Sequence, residues 1–174
     1  MHYSAALFRD ASHSSLNGHL SICVAGGTQT NGPSSVTRDI QQFLPRGNAM
    51  SYKYTVKSTW SHLFLLCQSK HDSECFMLKI EPLNLDALAT EIKMPPQVSE
   101  ILDFVCGSEH ILLHCARHTK TDVVLGLGWN EHGNLGIGNT INADKPVVVW
   151  EASQNTKVIR LWAGNGTSWI YSSP

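Results

Sequence analysis

Charged residues are scarce in this chain. Asp, Glu, Lys and Arg make up 16% of its 174 residues, against roughly 25% in an average globular protein. The two signs nearly cancel, which gives a formal net charge of -1 at pH 7. Such a balance provides no general attraction to nucleic acid or to an anionic membrane surface. We therefore expect no direct nucleic-acid partner and no membrane partner.

Long apolar runs are also missing. Nowhere do 18 apolar residues follow one another, so no transmembrane helix is predicted. Residues 1–18 carry Arg9 and Asp10 and have no apolar centre. This composition is not that of a secretory signal, and it predicts a frayed terminus.

The cysteines form no recognisable framework. There are 5 of them, at irregular spacings and without a C-x-x-C pair. This argues against both a set of disulfides and a thiolate zinc module. We expect reduced, partly buried thiols in a protein of the cytoplasm, the nucleus or both.

The most distinctive segment is residues 126–138, which hold 5 of the 13 glycines together with Trp129. A dinucleotide-binding fingerprint that starts at Gly126 would need its third glycine where Glu131 stands. A P-loop would need Gly-Lys-Ser/Thr, which does not occur. The spacing therefore disfavours phosphate binding and favours a tight strand-and-turn unit.

Short apolar segments separated by polar turns run through the chain, with little helical periodicity. One short helix is predicted at residues 37–44, and residues 83–93 carry an ambiguous helical spacing of leucine and isoleucine. Strands are predicted at residues 20–25, 52–56, 62–67, 75–80, 101–105, 110–115, 123–129, 146–150, 158–162 and 169–171. This rhythm is typical of an all-β sandwich, barrel or propeller.

An internal repeat distinguishes among the sandwich, the barrel and the propeller. Two segments share the order apolar strand, glycine, polar turn, apolar strand, and their glycines, Gly107 and Gly164, are 57 residues apart. A weaker copy has Thr59 in place of the glycine, and its His62 precedes His110 by 48 residues. A period near 50 residues with several strands per unit is typical of a propeller.

Residues 94–138 resemble a regulator of chromosome condensation repeat. That family's unit has a proline-led strand, an apolar strand that ends in Cys/Ala-Gly-x-x-His, and a closing glycine-rich strand. The positions matching that closing strand are Gly128, Asn130, Gly133, Leu135, Gly136 and Gly138. The resemblance covers roughly residues 94–174 and implies an all-β fold, a partial β-propeller of about three to four blades.

On this basis residues 1–174 are predicted to form one partial propeller domain. Residues 1–50 are a diverged blade and linker, 51–93 a degraded blade, 94–150 the best-matching blade and 151–174 closing strands. Complete members of the family usually have seven blades, so we expect about half a propeller, corresponding to the C-terminal half. Its open sheet edges predict marginal stability or association.

Within the family the chain is most similar to the fungal alpha-tubulin suppressors and the animal secretion-regulating guanine nucleotide exchange factors. The fungal resemblance implies a non-enzymatic interaction module. Its implied partner is a small zinc protein that acts in diphthamide synthesis and in Elongator-dependent modification of the tRNA wobble uridine. The alternative is nucleotide exchange on a small GTPase, although no element that could displace the nucleotide is evident.

Loops carry the binding residues of such a module. The candidate partner-binding residues are Glu109, His110, Asn130, Glu131 and His132. We expect no catalytic residue, metal or cofactor. The tryptophans Trp129, Trp162 and Trp169 could anchor an interface, but their apolar neighbours favour core packing.

Two chemical alternatives remain open. His110, His114 and His118 are spaced i, i+4, i+8, so a helix would place them on one face as a zinc site. The strand-like sequence around them argues against a helix. Glu131 and His132 could act as a general acid and base, but no nucleophile accompanies them, and a surface contact pair is the favoured interpretation.

Overall fold

The computed structural model describes three strands near the N-terminus and residues 51–81, 89–153 and 155–174. The regular elements of these parts are β-strands, with no α-helix among them, so none of these parts offers a helix suited to crossing a membrane. The chain divides into two compact units, residues 1–72 with 77–91 and residues 73–76 with 92–174. The predicted all-β class is confirmed.

The first unit begins with a three-stranded antiparallel sheet. Its strands β1 (Ser4–Asp10), β2 (His19–Ala25) and β3 (Ser35–Asp39) lie in that order. Two predictions are corrected here. The N-terminal segment, predicted to be frayed, contains strand β1. The helix predicted at residues 37–44 is wrong at residues 37–39, because these are part of β3. Residues 40–44 lie outside the described residues. Pairing of β3 along β2 overrides a weak local helix preference.

A four-stranded sheet follows, with β4 (Tyr52–Ser58), β5 (Leu63–Ser69), β6 (Cys75–Ile80) and the short β7 (Thr90–Glu91) in that order. The first five residues of β5 are buried, as their unbroken apolar sequence requires of a central strand. Most of the segment with ambiguous helical spacing, residues 82–88, lies outside the described residues.

The second unit contains a complete four-stranded antiparallel sheet. Its strands are β8 (Val98–Cys106), β9 (His110–Arg117), β10 (Asp122–Gly128) and β11 (Ala143–Glu151), in the order β11-β10-β9-β8. The inner strands β9 and β10 are buried along most of their length. Their near-continuous apolar sequences fit a position between two neighbours in a sheet that is covered.

A two-stranded antiparallel sheet, β12 (Lys157–Ala163) and β13 (Ser168–Ser173), packs on this four-stranded sheet. Val158 and Leu161 of β12 are buried against Leu112, Val124 and Leu135. The resulting cluster is the core between the two sheets. It holds the loops at one end of the second unit in fixed positions.

The opposite face of the two-stranded sheet is open to solvent in the described part of the chain. Trp162 and Trp169 lie directly across from each other on it, with 47% and 64% of their surface exposed. Tyr171 is exposed as well, and the guanidinium of Arg160 lies 5.8 Å from the centre of the Trp162 ring. The expectation that these two tryptophans are core residues is therefore wrong, because alternation along the strands turns them away from the facing sheet.

The internal repeat is confirmed by a shared backbone hydrogen bond in three turns. The N–H of Gly107 donates to the carbonyl of His110 at 2.8 Å, and that of Gly164 donates to the carbonyl of Thr167 at 2.9 Å. The weaker copy makes the same bond, from Thr59 to His62, at 2.9 Å. A buried Thr59 thus replaces the glycine without changing the turn.

Candidate functional site

Asn130 organises the loop that joins β10 to β11. Its side chain is fully buried, and its amide nitrogen donates to the carbonyls of Asn139 at 2.9 Å and Ile141 at 3.1 Å. Its side-chain oxygen accepts from the N–H of Leu135 at 2.8 Å, and its own N–H donates to Oδ1 of Asn142 at 2.8 Å. One side chain therefore fixes both arms of the loop.

Gly128 brings the neighbouring turn against the start of this loop. Its φ of 104° lies in the region that favours glycine, and a Cβ there would lie 2.4 Å from the carbonyl oxygen of Glu109. The same oxygen accepts from the N–H of Trp129 at 2.9 Å. The turn between β8 and β9 and the loop after β10 thus form one end of the sheet together.

His110 connects this end of the sheet to the next hairpin. Its ring is buried, and Nε2 lies 3.1 Å from Oγ of Ser168. Burial lowers the pKa of His110 and so favours the neutral imidazole. The ring also fills the space beside Gly107, where a Cβ would lie 2.3 Å from the imidazole.

Two further contacts fix the spacing between the turns. The hydroxyl of Ser108 donates to the carbonyl of Asn165 at 2.6 Å, and the N–H of Ser108 donates to the carbonyl of Gly164 at 3.2 Å. The turn after β8 and the turn after β12 therefore stack on each other. The stacked turns are a rigid base for any exposed side chain beside them.

A polar contact also joins the same two sheets at their opposite end. Oδ2 of the buried Asp122 lies 2.9 Å from Nε2 of His114 and accepts from the N–H of Val158 at 2.8 Å. Asp122 thereby attaches β12 to β9 and β10. The sheets are held at both ends by hydrogen bonds and between them by the apolar cluster.

Glu131 and His132 are two adjacent exposed residues of the loop. The His132 ring packs edge-on against Trp129, with 4.7 Å between ring centres and an angle of 82°. Gly166 of the next hairpin lies under this pair, and a Cβ there would come within 3.6 Å of His132. The His132 ring is thus supported by Trp129 and by the backbone of the next hairpin.

The five predicted site residues lie at one end of the sheet β8–β11, but they do not share a role. His110 and Asn130 are buried and hydrogen-bonded inside the unit, so their side chains position the loops. Glu131 and His132 are exposed, and Glu109 is half-buried. The sequence pattern alone could not separate these roles, since all five residues are polar and lie within three residues of a glycine.

A cleft of about 290 Å³ lies beside this loop. It is bounded by residues 132–136, by β13 and by two side chains of the four-stranded sheet, Leu112 and Val149. Asn134 lines it; its amide donates to the carbonyl of Trp129 at 2.6 Å, while its buried Oδ1 has no hydrogen-bond partner among the described residues. Sequence reasoning missed this cleft, because its walls come from four separate segments of the chain.

The zinc alternative fails on geometry. The three histidines fall on strand β9 and the turn after it, where His110 bonds to Ser168, His114 bonds to Asp122 and His118 is exposed. Within residues 51–81, 89–153 and 155–174, no group of three or more His, Cys, Asp or Glu side chains could hold a metal ion.

The buried thiols are poorly suited to reaction. Burial raises the pKa of Cys67 and of Cys115 to about 12, and it also raises the pKa of Cys75. A thiol with so high a pKa is almost entirely protonated at neutral pH and is a weak nucleophile.

Comparison with known families adds one match, to the regulator of chromosome condensation (RCC1) repeat, over residues 122–170. Residues 122–170 are an RCC1 repeat. No curated protein matches the chain. The RCC1 repeat begins with β10 and β11, contains the Asn130 loop and ends in β13, so it includes strands of both sheets of the second unit.

The fold is therefore all-β, a partial β-propeller of the RCC1 type. RCC1 repeat domains mediate protein–protein interactions. The exposed residues Glu131 and His132 lie inside the matched repeat, whereas Glu109 and His110 precede it.

Proposed function

We propose that the chain is a non-enzymatic protein-interaction module that binds its partner through the loop surface formed by Glu109, Glu131 and His132. The observation that carries the proposal is the position of two exposed polar residues on a loop of an RCC1 repeat that Asn130 holds by buried hydrogen bonds. Asn130 fixes the loop, and Trp129 and Gly166 support His132. A preorganised loop loses little conformational entropy when it binds.

The proposed partner is the small zinc protein of diphthamide synthesis and Elongator-dependent tRNA modification, in the cytoplasm, the nucleus or both. Support comes from the resemblance of the Gly-Ser-Glu-His turn and the Gly-Trp-Asn-Glu-His-Gly-Asn loop to the fungal alpha-tubulin suppressors. An exposed carboxylate on this loop suits a partner surface that offers N–H donors or a positive charge.

A pull-down with this zinc protein tests the proposal. We expect the full chain to retain it, and the double variant Glu131→Ala/His132→Ala to lose affinity by about tenfold or more, as removal of central polar contacts does in other interfaces. The matched control is Asp144→Ala/Lys145→Ala, which removes two exposed residues of β11 outside the loop. Equal retention of both variants would remove Glu131 and His132 from the site, and failure of the unmodified chain to retain the protein would remove the partner.

Nucleotide exchange on a small GTPase is the second candidate, because RCC1-repeat proteins are binders or exchange factors. A release assay with fluorescent GDP on a Ran-like GTPase separates the two. The binder proposal predicts the same release rate with and without the chain. A concentration-dependent acceleration, lost in Glu131→Ala/His132→Ala, would replace the binder proposal with exchange.

A further inference from the structure

One peptide group of the stacked turns combines a reactive sequence with an activating contact. Asn165 and Gly166 form an Asn-Gly pair in the turn between β12 and β13. Asn165 is exposed, and its backbone carbonyl accepts a hydrogen bond from the hydroxyl of Ser108 at 2.6 Å. This carbonyl and the nitrogen of Gly166 belong to one conjugated peptide group, so a contact with the oxygen also affects the nitrogen.

The two groups that would react are not engaged elsewhere. Neither the side-chain amide of Asn165 nor the N–H of Gly166 makes a hydrogen bond within residues 89–153 and 155–174. Gly166 also has no Cβ to obstruct the approach of its own nitrogen to a neighbouring side chain. No hydrogen bond therefore has to break before the nitrogen of Gly166 can approach Cγ of Asn165.

The asparagines of the loop after β10 differ in this respect. Each of them makes at least one hydrogen bond through its side chain, and none of them is followed by glycine. They are Asn130, Asn134, Asn139 and Asn142. Sequence and hydrogen bonding together therefore distinguish Asn165 from the asparagines of the candidate site.

We propose that Asn165 is a modification site, at which the Asn165–Gly166 peptide rearranges through a succinimide to isoaspartate and aspartate, and that the hydroxyl of Ser108 promotes the first step. A solvent base removes the proton from the nitrogen of Gly166. The negative charge of the resulting imidate is shared with the carbonyl oxygen of Asn165. Ser108 already contacts that oxygen, so a charge-assisted hydrogen bond stabilises the anion without a rearrangement of the turn.

The remaining steps need water alone. The nitrogen of Gly166 forms a bond to Cγ of Asn165, and the bond from Cγ to the side-chain nitrogen breaks. That side-chain nitrogen takes up the proton that the base removed and leaves as ammonia. Water then opens the ring. Attack at the former side-chain carbonyl gives aspartate, and attack at the backbone carbonyl gives isoaspartate, in which the chain continues through Cγ. No atom is oxidised or reduced.

The product changes the backbone beside the loop surface. A Cβ on Gly166 would lie 3.6 Å from the His132 ring and 4.0 Å from the Trp129 ring, so this glycine packs close to both. Isoaspartate lengthens the chain by one carbon directly before Gly166 and adds a carboxylate there. The chemistry at Asn165 does not depend on what the loop surface binds, so this inference stands apart from the proposed function.

Incubation of the full chain at neutral pH, followed by digestion and mass spectrometry, measures the loss of the Asn165 amide over time. Enzymatic methylation of isoaspartate identifies the product. Ser108→Ala should slow the loss by about tenfold, the effect of one hydrogen bond to a charged oxygen. If Ser108 only restrained the turn, its removal would accelerate the reaction. An equal or faster rate in Ser108→Ala would therefore overturn the proposal.

Urea above the unfolding transition provides the matched control. The contact between Ser108 and Asn165 is then absent in both chains, so the unmodified chain and Ser108→Ala should react at rates within about twofold of each other. A tenfold difference that persisted in urea would overturn the role of the folded contact.

Gly166→Ala tests the ring closure itself. The nearest atom to a Cβ at this position is 3.6 Å away, so the turn has room for the methyl group. The methyl group obstructs the approach of the nitrogen to Cγ, and we expect the loss of the Asn165 amide to slow by about tenfold. An unchanged rate would exclude the succinimide and overturn the proposal.

Discussion

The two sheets of the second unit start from the same sequence pattern and end in different environments. In the internal repeat, Leu112 of β9 corresponds to Trp169 of β13. Leu112 is fully buried, because the two-stranded sheet covers it, whereas Trp169 is 64% exposed. Burial at this position is therefore decided by the neighbouring sheet, and the residue type alone does not determine it.

Truncation of the two equivalent side chains tests this difference most strongly. Leu112→Ala should lower the free energy of unfolding by about 3.5 kcal/mol, because it leaves a cavity in the core between the sheets. Trp169→Ala should lower it by less than about 1 kcal/mol, the contribution of a cross-strand pair on an exposed face. Urea denaturation of both variants measures the two values. Equal losses would mean that Trp169 is covered in solution.

Asn130 tests whether the loop or the sheet fixes the candidate site. Asn130→Ala removes three side-chain hydrogen bonds from a fully buried position, so we expect a loss of about 2.5 kcal/mol. Its control is Asn139→Ala, an exposed residue whose side chain accepts one bond, from the N–H of Ile141; there we expect less than about 1 kcal/mol. Denaturation curves with equal midpoints would show that the loop is held by other contacts.

The two equivalent glycines provide a finer comparison. A Cβ on Gly107 would lie 2.3 Å from the His110 ring and 2.5 Å from the carbonyl oxygen of Gly164, whereas on Gly164 its nearest neighbour is the Thr167 hydroxyl at 3.0 Å. We expect Gly107→Ala to cost about 2 kcal/mol by overpacking and Gly164→Ala less than about 1 kcal/mol. Thermal unfolding followed by circular dichroism ranks the stability losses of the two variants. A larger loss for Gly164→Ala than for Gly107→Ala would contradict the stacking of the two turns.

The smallest expected effect is a pH dependence from His110. Its folded-state pKa is lowered by burial, while the unfolded value is about 6.5. Below about pH 6.5 the unfolded chain therefore binds a proton that the folded chain does not. The free energy of unfolding falls as the pH is lowered through this range, and it stops falling below the pKa of the folded state. The slope in that window is at most about 1.4 kcal/mol per pH unit.

Melting temperatures between pH 7.5 and pH 5 measure this slope. His110→Gln should flatten the curve, since it removes the titrating group, and His118→Ala, at an exposed position, should leave the slope as it is. A curve for His110→Gln parallel to that of the unmodified chain would assign the pH dependence to another group.

Most strands of the fold could be predicted from the sequence, because apolar segments of four to eight residues between polar turns mark strands well. Strand β3 could not, since its residues pair with β2 against their local preference. The exposed position of Trp162 and Trp169 could not be predicted either, because it depends on which sheet faces them. The motif glycines and Asn130 located the loop correctly, yet the sequence did not separate the buried Asn130 from the exposed Glu131 beside it.

The stacked turns also bear on how such a chain grows by duplication. Ser108 bonds to a residue 57 positions further on, and His110 bonds to one 58 positions further on. Each hydrogen-bonded pair therefore joins one repeat to the next. A gene segment of about this length, inserted in register, would bring one turn that bonds to the copy before it and one turn that bonds to the copy after it. Insertion of the segment out of this register would break both hydrogen bonds at each junction between repeats.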